Sequence, residues 1–111
     1  MATKPKLLGQ VAPSAATETL LYDCPRGTIS GAISLVVCNT GAAADTVRVS
    51  LSALGAATTT KDYLYYDLPL DPADTFNADV GVVTKAGDII RVRSALGTCS
   101  FSLFGEETYP I

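Results

Sequence analysis

The sequence predicts an all-β protein, built as an antiparallel β-sandwich of about eight strands. Apolar and polar residues alternate with period two in short runs, which are separated by Gly, Pro, Asp and Asn. Ala, Ser, Thr and Gly supply 45 of the 111 residues, so the hydrophobic fraction consists mainly of small and β-branched side chains. No stretch sustains the three- and four-residue spacing of an amphipathic helix.

Eight short strands with turns between them favour a jelly roll, and an immunoglobulin-type sandwich is the alternative. The 111 residues allow one domain, with extended ends at about 1–6 and 106–111 that have no predicted strand partner. In chain order, the predicted strands span residues 6–11, 18–24, 29–38, 45–53, 62–66, 75–80, 90–93 and 99–103.

The early strands differ in how many of their faces are apolar. The strand 18–24 ends at a tight turn that contains Pro and Gly. Pro favours such a turn because its φ is fixed, and Gly favours it because its φ is permissive. The strand 29–38 is apolar on both faces in its second half, where Val36 opposes the inward residues, so we expect it to be central in a core or an interface. The strand 45–53 alternates cleanly, which predicts one packed face and one wet face that contains its serines and Arg48.

The later strands are bounded by turn residues. Pro69 and Pro72 are predicted to interrupt the ladder after 62–66, because proline has no N–H to donate. The strand 75–80 points its apolar residues inward and two polar residues outward. In 90–93 two apolar residues alternate with two arginines, and the last strand alternates apolar residues with serines.

The composition removes several classes of chemistry. Histidine is absent, which excludes His-dependent triads and His-ligated metal sites. Ser and Thr are abundant but have no base to activate them, and no glycine-rich phosphate motif is present. We therefore expect a protein that is not an enzyme and that uses no cofactor.

The charge and the hydropathy of the sequence indicate which partners the protein is expected to bind. A net charge of −3 with scattered Lys and Arg argues against nucleic acid, whose binding depends on clustered basic residues. No apolar stretch approaches the roughly 18 residues of a membrane span, and the first ten residues lack the apolar core of a signal peptide, so we expect neither membrane insertion nor export. A charged fraction of only 17% is typical of a surface that packs against other subunits.

Two sets of potential metal ligands occur in the sequence, and neither has the spacing of a metal site. The three cysteines are widely spaced and odd in number, which predicts buried free thiols. Four aspartates cluster between residues 67 and 79 without the spacing of a calcium loop, and we interpret them as turn caps and solvated side chains. These residues are Cys24, Cys38 and Cys99, and Asp67, Asp71, Asp74 and Asp79.

The tyrosines near residue 65 are the clearest candidates for contact with a partner. Tyr suits a subunit interface because it is large, stiff and able to hydrogen-bond at its tip, and stacking on sugars or bases is the alternative. Strict alternation places Tyr63 and Tyr65 on one face and Tyr66 on the other, so one face packs in the core and the other is exposed.

Arg91 and Arg93 share a face, and Arg48 extends it into a small basic stripe if it also points outward. Against the net negative charge, the stripe is more typical of a solvated or salt-bridged face than of a phosphate track. The predicted interface residues are Tyr63, Tyr65, Tyr66, Val36, Arg91 and Arg93.

Seven segments share features with a known family: KLLGQVAP, LYDCPRGT, SLVVCNTG, KDYLYYDLPL, DTFNADVGV, GDIIRVRSA and FSLFGEE. In this order they resemble small virion structural proteins of tailed bacteriophages, including phages of cyanobacteria. The likeness spans Lys6 to Glu107. It implies a β-sandwich component of the virion, assembled in the host cytoplasm, with a symmetric oligomer as its working form.

Two functions are expected from this resemblance. The first is a non-enzymatic capsid decoration (cement) protein, a homotrimer that binds the major capsid protein and stabilises the head by adding buried interface to the assembled shell. Its extended termini would lie across a neighbouring subunit. The second is a baseplate, neck or tail-fibre module that contacts other tail proteins or host glycans.

Overall fold

The computed structural model contains two four-stranded antiparallel sheets packed face to face, which confirms the predicted all-β sandwich. It describes the backbone of residues 2–109 and the side chains of 4–31, 34–81 and 84–109. Two short 3-10 turns, Ala53–Gly55 and Thr60–Asp62, precede the fifth strand. The strands are β1 (Ala2–Val11), β2 (Thr19–Asp23), β3 (Ile29–Asn39), β4 (Asp45–Ser52), β5 (Tyr63–Leu70), β6 (Thr75–Lys85), β7 (Ile89–Ser94) and β8 (Cys99–Tyr109).

The strand order is nested. Sheet A has the order β1-β8-β3-β6, and sheet B has the order β2-β7-β4-β5. The first strand thus pairs with the last, the second with the seventh, the third with the sixth and the fourth with the fifth, as in one long hairpin folded over on itself. The chain ends therefore lie side by side in sheet A, and the middle of the chain forms the β4–β5 edge of sheet B.

The hydrophobic core lies between the inner faces of the two sheets. Phe101 and Val37 from the central strands of sheet A are 0% exposed, and Val47 in sheet B is also 0% exposed. The predicted central position of β3 is confirmed, since β8 and β6 flank it on either side. Period-two alternation places these residues inward on each strand, which is why the sequence pattern located them.

The chain ends differ from the prediction. Residues 1–6 and 106–111 were expected to have no strand partner, but Ala2 to Lys6 pair with Tyr109 to Gly105. The inward positions of this ribbon hold charged residues, among them Lys6 and Glu107, so hydrophobic alternation did not reveal it. Residues 1, 110 and 111 lie outside the described part of the chain.

The predicted interruption of β5 at Pro69 is also wrong. The strand continues to Leu70, and Pro69 lies opposite Thr46 of β4. β5 is an edge strand, where one side of the backbone needs no ladder partner and proline is tolerated. Its register with β4 shifts twice, between Val47 and Val49 and again before Ser50.

Candidate binding face on sheet B

The outer side of sheet B holds three arginines and two tyrosines, which we call the arginine–tyrosine face: Arg48, Arg91, Arg93, Tyr63 and Tyr66. Arg48 lies directly opposite Arg93 in the β4–β7 ladder, and Ser50 lies opposite Arg91. Residues directly opposite each other in a sheet point to the same side. The structure therefore brings together the basic stripe that the sequence indicated.

The tyrosines are arranged differently from the prediction. The Tyr63 and Tyr66 rings meet edge to face, with their centroids 4.9 Å apart and an interplanar angle of 76°. Tyr65 instead packs against the core, its ring centroid 5.5 Å from that of Phe76. The shared face predicted for Tyr63 and Tyr65 is therefore wrong, because the register shifts in β5 break strict alternation between them.

Arg48 is fixed by a carboxylate and an aromatic ring. Its Nε and Nη2 donate to the two carboxylate oxygens of Asp67 at 2.6 and 3.3 Å. Its guanidinium carbon lies 4.2 Å from the centroid of the Tyr66 ring. The hydrogen bond from Arg48 lowers the pKa of Asp67. The pair is partly exposed, so it contributes little to stability, but it holds the guanidinium beside the Tyr66 ring.

Arg91 holds the segment between β4 and β5 against the sheet. Its Nη1 donates to the carbonyl oxygen of Ala56 at 2.9 Å and to the hydroxyls of Ser52 and Thr58 at 3.2 Å each. Ser50 and Ser52 are 1% and 0% exposed. The prediction of a wet outer face on β4 is therefore wrong at these two serines, although Arg48 does point outward.

Arg93 and Ser50 are neighbouring polar groups on this face with unused hydrogen-bonding capacity. Ser50 Oγ has no hydrogen-bond partner within the described residues. Arg93 acts on Asp67 by electrostatic attraction, and no hydrogen bond joins its guanidinium to any other described side chain. A cleft of about 10 Å³ lies between them, enough for a single oxygen-sized group. The cleft is lined by Glu18, Arg48, Ser50, Tyr63, Arg91, Val92 and Arg93.

A larger recess adjoins this cleft and shares Tyr63 with it. Its volume is about 460 Å³, and its lining consists of the two tyrosines and the hydroxyl side chains of Thr58, Thr59 and Thr60. The backbone N–H and hydroxyl of Thr59 both donate to the Asp62 carboxylate, at 2.8 and 3.1 Å. This capping interaction orders the threonine segment and lowers the pKa of Asp62.

The outer side of sheet A has a contrasting character. Leu7 and Phe104 lie opposite each other in the β1–β8 ladder, are 45% and 42% exposed, and form with half-buried Val36 what we call the apolar patch. A recess of about 380 Å³ beside Phe104 is lined mainly by apolar atoms of the β1–β8 ribbon and Ser34. The apolar patch and the arginine–tyrosine face point in opposite directions, because they lie on the outer sides of the two sheets.

The predicted interface residues are thus divided among three places. Tyr63, Tyr66, Arg91 and Arg93 share the outer side of sheet B, Val36 lies on the outer side of sheet A, and Tyr65 packs inward. Compared with the models of known protein families and with curated protein sequences, the chain gives no match.

A buried carboxylate, which hydrophobic pattern did not reveal, secures the end of the sandwich where the chain ends meet. Glu107 is 2% exposed and accepts hydrogen bonds from the Tyr22 hydroxyl at 2.6 Å, from Lys6 Nζ at 3.0 Å and from the Tyr109 hydroxyl. Burial by itself raises the pKa of Glu107, but these donors outweigh it and leave the pKa below its usual value. Because Tyr22 belongs to sheet B, the contact joins the two sheets.

A second polar cluster secures the opposite end. The buried Asn39 amide donates to the carbonyl oxygens of Ala43 and Leu70 at 3.0 and 3.1 Å. Its side-chain oxygen accepts from Thr98 Oγ1 at 2.9 Å. Asp45 accepts from the Ser94 hydroxyl beside it, and this hydrogen bond, with others from the backbone, overcomes burial and lowers the pKa of Asp45. These residues fix loops and are not part of the outer faces.

The cysteines and aspartates form no metal centre in the part of the chain that the structure describes. The predicted free thiols are confirmed, although Cys38 is half-buried where burial was expected. Asp74 accepts from the N–H of Thr75 at 2.8 Å, as expected for a turn cap, and Asp79 is exposed. Across residues 2–109, no helix has the length and apolar character to cross a membrane.

Proposed function

We propose that the protein is a non-enzymatic structural component of a bacteriophage particle, and specifically a trimeric decoration protein that binds the major capsid protein and stabilises the head. The apolar patch on sheet A is the observation that supports this proposal. The nested strand order of the two sheets further supports a jelly-roll assignment, an architecture that capsid domains often use.

The apolar patch has the composition of a protein contact surface. Serines and Asn77 accompany Leu7, Val36 and Phe104 on the outer side of sheet A, where the charged side chains of the described residues are Asp79, Lys85 and Glu106. The centres of protein interfaces are depleted in charged residues in the same way. The side chains of the patch also lie on hydrogen-bonded strands, so they are held in place before a partner arrives.

The test is binding to heads of the phage that encodes the chain, measured by cosedimentation. We expect Phe104→Asp to weaken binding at least tenfold, because it places a charge at the centre of the contact. Leu96→Asp is the matched control, since Leu96 is 50% exposed but lies in the turn before β8. Circular dichroism establishes that both variants fold. Unchanged head binding by Phe104→Asp contradicts the proposal.

Location and oligomeric state are measured separately. Gold labelling of virions with an antibody against the protein is expected to mark the head, and sedimentation equilibrium is expected to give a trimer. Labelling confined to the tail contradicts the decoration function.

A second candidate, a tail module that binds a host surface, is favoured by the recess on the arginine–tyrosine face. Its lining combines two aromatic rings with three hydroxyl side chains, a combination suited to glycans. Under this function Tyr66→Ala lowers phage adsorption to the host while particles remain intact. Normal adsorption by this variant, together with head labelling, excludes the tail function.

A further inference from the structure

The arginine–tyrosine face leaves hydrogen-bonding capacity unused in two neighbouring groups. Ser50 Oγ is buried and has no partner within the described residues. Arg93 has five N–H donors, and its interaction with Asp67 is electrostatic only. A buried hydroxyl without a partner costs free energy in a folded protein. Both groups line the same narrow cleft, which marks it as a place where an outside oxygen atom is accepted.

We propose that this face binds a saccharide that contains a carboxylate, with the carboxylate at Arg93 and Ser50 and the sugar ring against Tyr63 and Tyr66. The proposal concerns the side chains of a single copy. It names the chemistry of the glycan that the second candidate function would bind, but it does not depend on the position of the protein in a virus particle.

The larger recess accounts for the sugar ring. Its volume of about 460 Å³ is within the range of roughly 300–1,000 Å³ that small-molecule sites occupy. Tyr66 is 58% exposed and is held in place by Arg48, so an apolar face of a ring has an ordered aromatic surface to contact. Thr58, Thr59 and Thr60 line the rest of the recess, and polar side chains of this kind suit the hydroxyls of a sugar.

The smaller cleft accounts for the carboxylate. It opens beside Tyr63, so a ring in the recess can extend one substituent toward Arg93. A guanidinium and a carboxylate form charge-assisted hydrogen bonds, which are stronger than those between neutral groups. The cleft has room for one oxygen atom near Ser50. A carboxylate oxygen placed there is a hydrogen-bond partner for the Ser50 hydroxyl, which has none among the described residues.

The acidic groups around the face do not neutralise Arg93 fully. Asp67 accepts two N–H groups from Arg48, and Asp62 accepts from Thr59. Glu18 is exposed at the rim of the cleft and is the carboxylate that competes for Arg93. Removing its charge by Glu18→Gln is therefore expected to strengthen binding of an acidic sugar.

The experiment is calorimetric titration of the full chain with tetragalacturonate and with its methyl ester, which keeps the rings and removes the charges. We expect binding of the acid, weakening as salt is added, and at least a tenfold loss of affinity for the ester. Equal binding of the two sugars, or binding of neither, overturns the proposal.

Variants of the chain make the assignment specific. Arg93→Gln is expected to lower the affinity at least tenfold, and Arg26→Gln, which makes the same change in an exposed turn, to leave it unaltered. Ser50→Ala is expected to weaken binding without lowering the melting temperature, because the Ser50 hydroxyl has no hydrogen-bond partner among the residues that the structure describes. Full affinity in Arg93→Gln, or in Ser50→Ala, contradicts the site.

Discussion

Substitution of Tyr22 by Phe tests whether the buried carboxylate joins the two sheets. The Tyr22 hydroxyl donates to Glu107 at 2.6 Å, and the two residues are 5% and 2% exposed. A hydrogen bond to a charged acceptor contributes about 1.5–3 kcal/mol. In Tyr22→Phe, Glu107 keeps Lys6 and Tyr109 as donors, so its charge is not left without a partner. The loss in the free energy of unfolding is therefore expected toward the lower end of this range, at about 2 kcal/mol.

Urea unfolding at pH 7 measures this loss. A domain of this size loses about 4–8 °C of melting temperature per kcal/mol, so thermal unfolding is expected about 10 °C lower in Tyr22→Phe. Tyr63→Phe is the control, because Tyr63 lies on the outer side of sheet B and its loss is expected to stay within about 0.5 kcal/mol. Equal stability of Tyr22→Phe and the unaltered protein refutes the reasoning.

The pH dependence of stability provides a second test of the contact between Tyr22 and Glu107. The pKa of Glu107 lies below the unfolded value of 4.5, so the stability that its ionised form contributes is complete above that value and is lost as the pH falls through the folded pKa. The stability difference between the unaltered protein and Tyr22→Phe is therefore expected to be greatest at neutral pH and to shrink below pH 4.5. A difference that grows on acidification contradicts the assigned role of the carboxylate.

Three further predictions concern the stability and the reactivity of individual side chains. Phe101→Ala removes a side chain that is 0% exposed and is expected to cost about 3–5 kcal/mol in urea unfolding. Asn39→Ala leaves loop carbonyls without a donor and is expected to cost more than about 2 kcal/mol in thermal unfolding, whereas Asn77→Ala on the exposed side of sheet A stays within about 0.5 kcal/mol. Alkylation of the native protein at pH 8, followed by mass spectrometry, is expected to modify half-buried Cys38 first, because burial raises the pKa of Cys99 to about 12.

The strands could be predicted where one face is apolar. In β4 the buried valines alternate with residues of the outer side, and in β7 two buried residues alternate with Arg91 and Arg93. The same alternation correctly grouped the arginines. The alternation did not identify Ser50 as an unsatisfied group, because the surroundings of Ser50 depend on its cross-strand neighbours Tyr63 and Arg91, which are distant in sequence.

The predictions from sequence were wrong in segments where hydrophobic alternation does not determine the structure. The shifts in β5 depend on its local register with β4, which no spacing of the tyrosines encodes. Glu107 continues the inward series Cys99, Phe101 and Leu103 at intervals of two residues. This spacing is the feature of the sequence from which a longer β8 could have been predicted. A glutamate in such a position is usually assigned to solvent, because buried carboxylates require partners from distant parts of the chain.

The pairing of β1 with β8 has a consequence for the order of folding during synthesis. Ala2 lies opposite Tyr109, so the β1 edge of sheet A is complete only after it has paired with a segment that is made much later in translation. The β4–β5 hairpin joins neighbouring segments and can close early, whereas β1 cannot pair with β8 until all the strands between them have been made. An unpaired strand in a nascent chain is open to association with other chains, and Pro5 with its flanking lysines makes β1 a poor template for it.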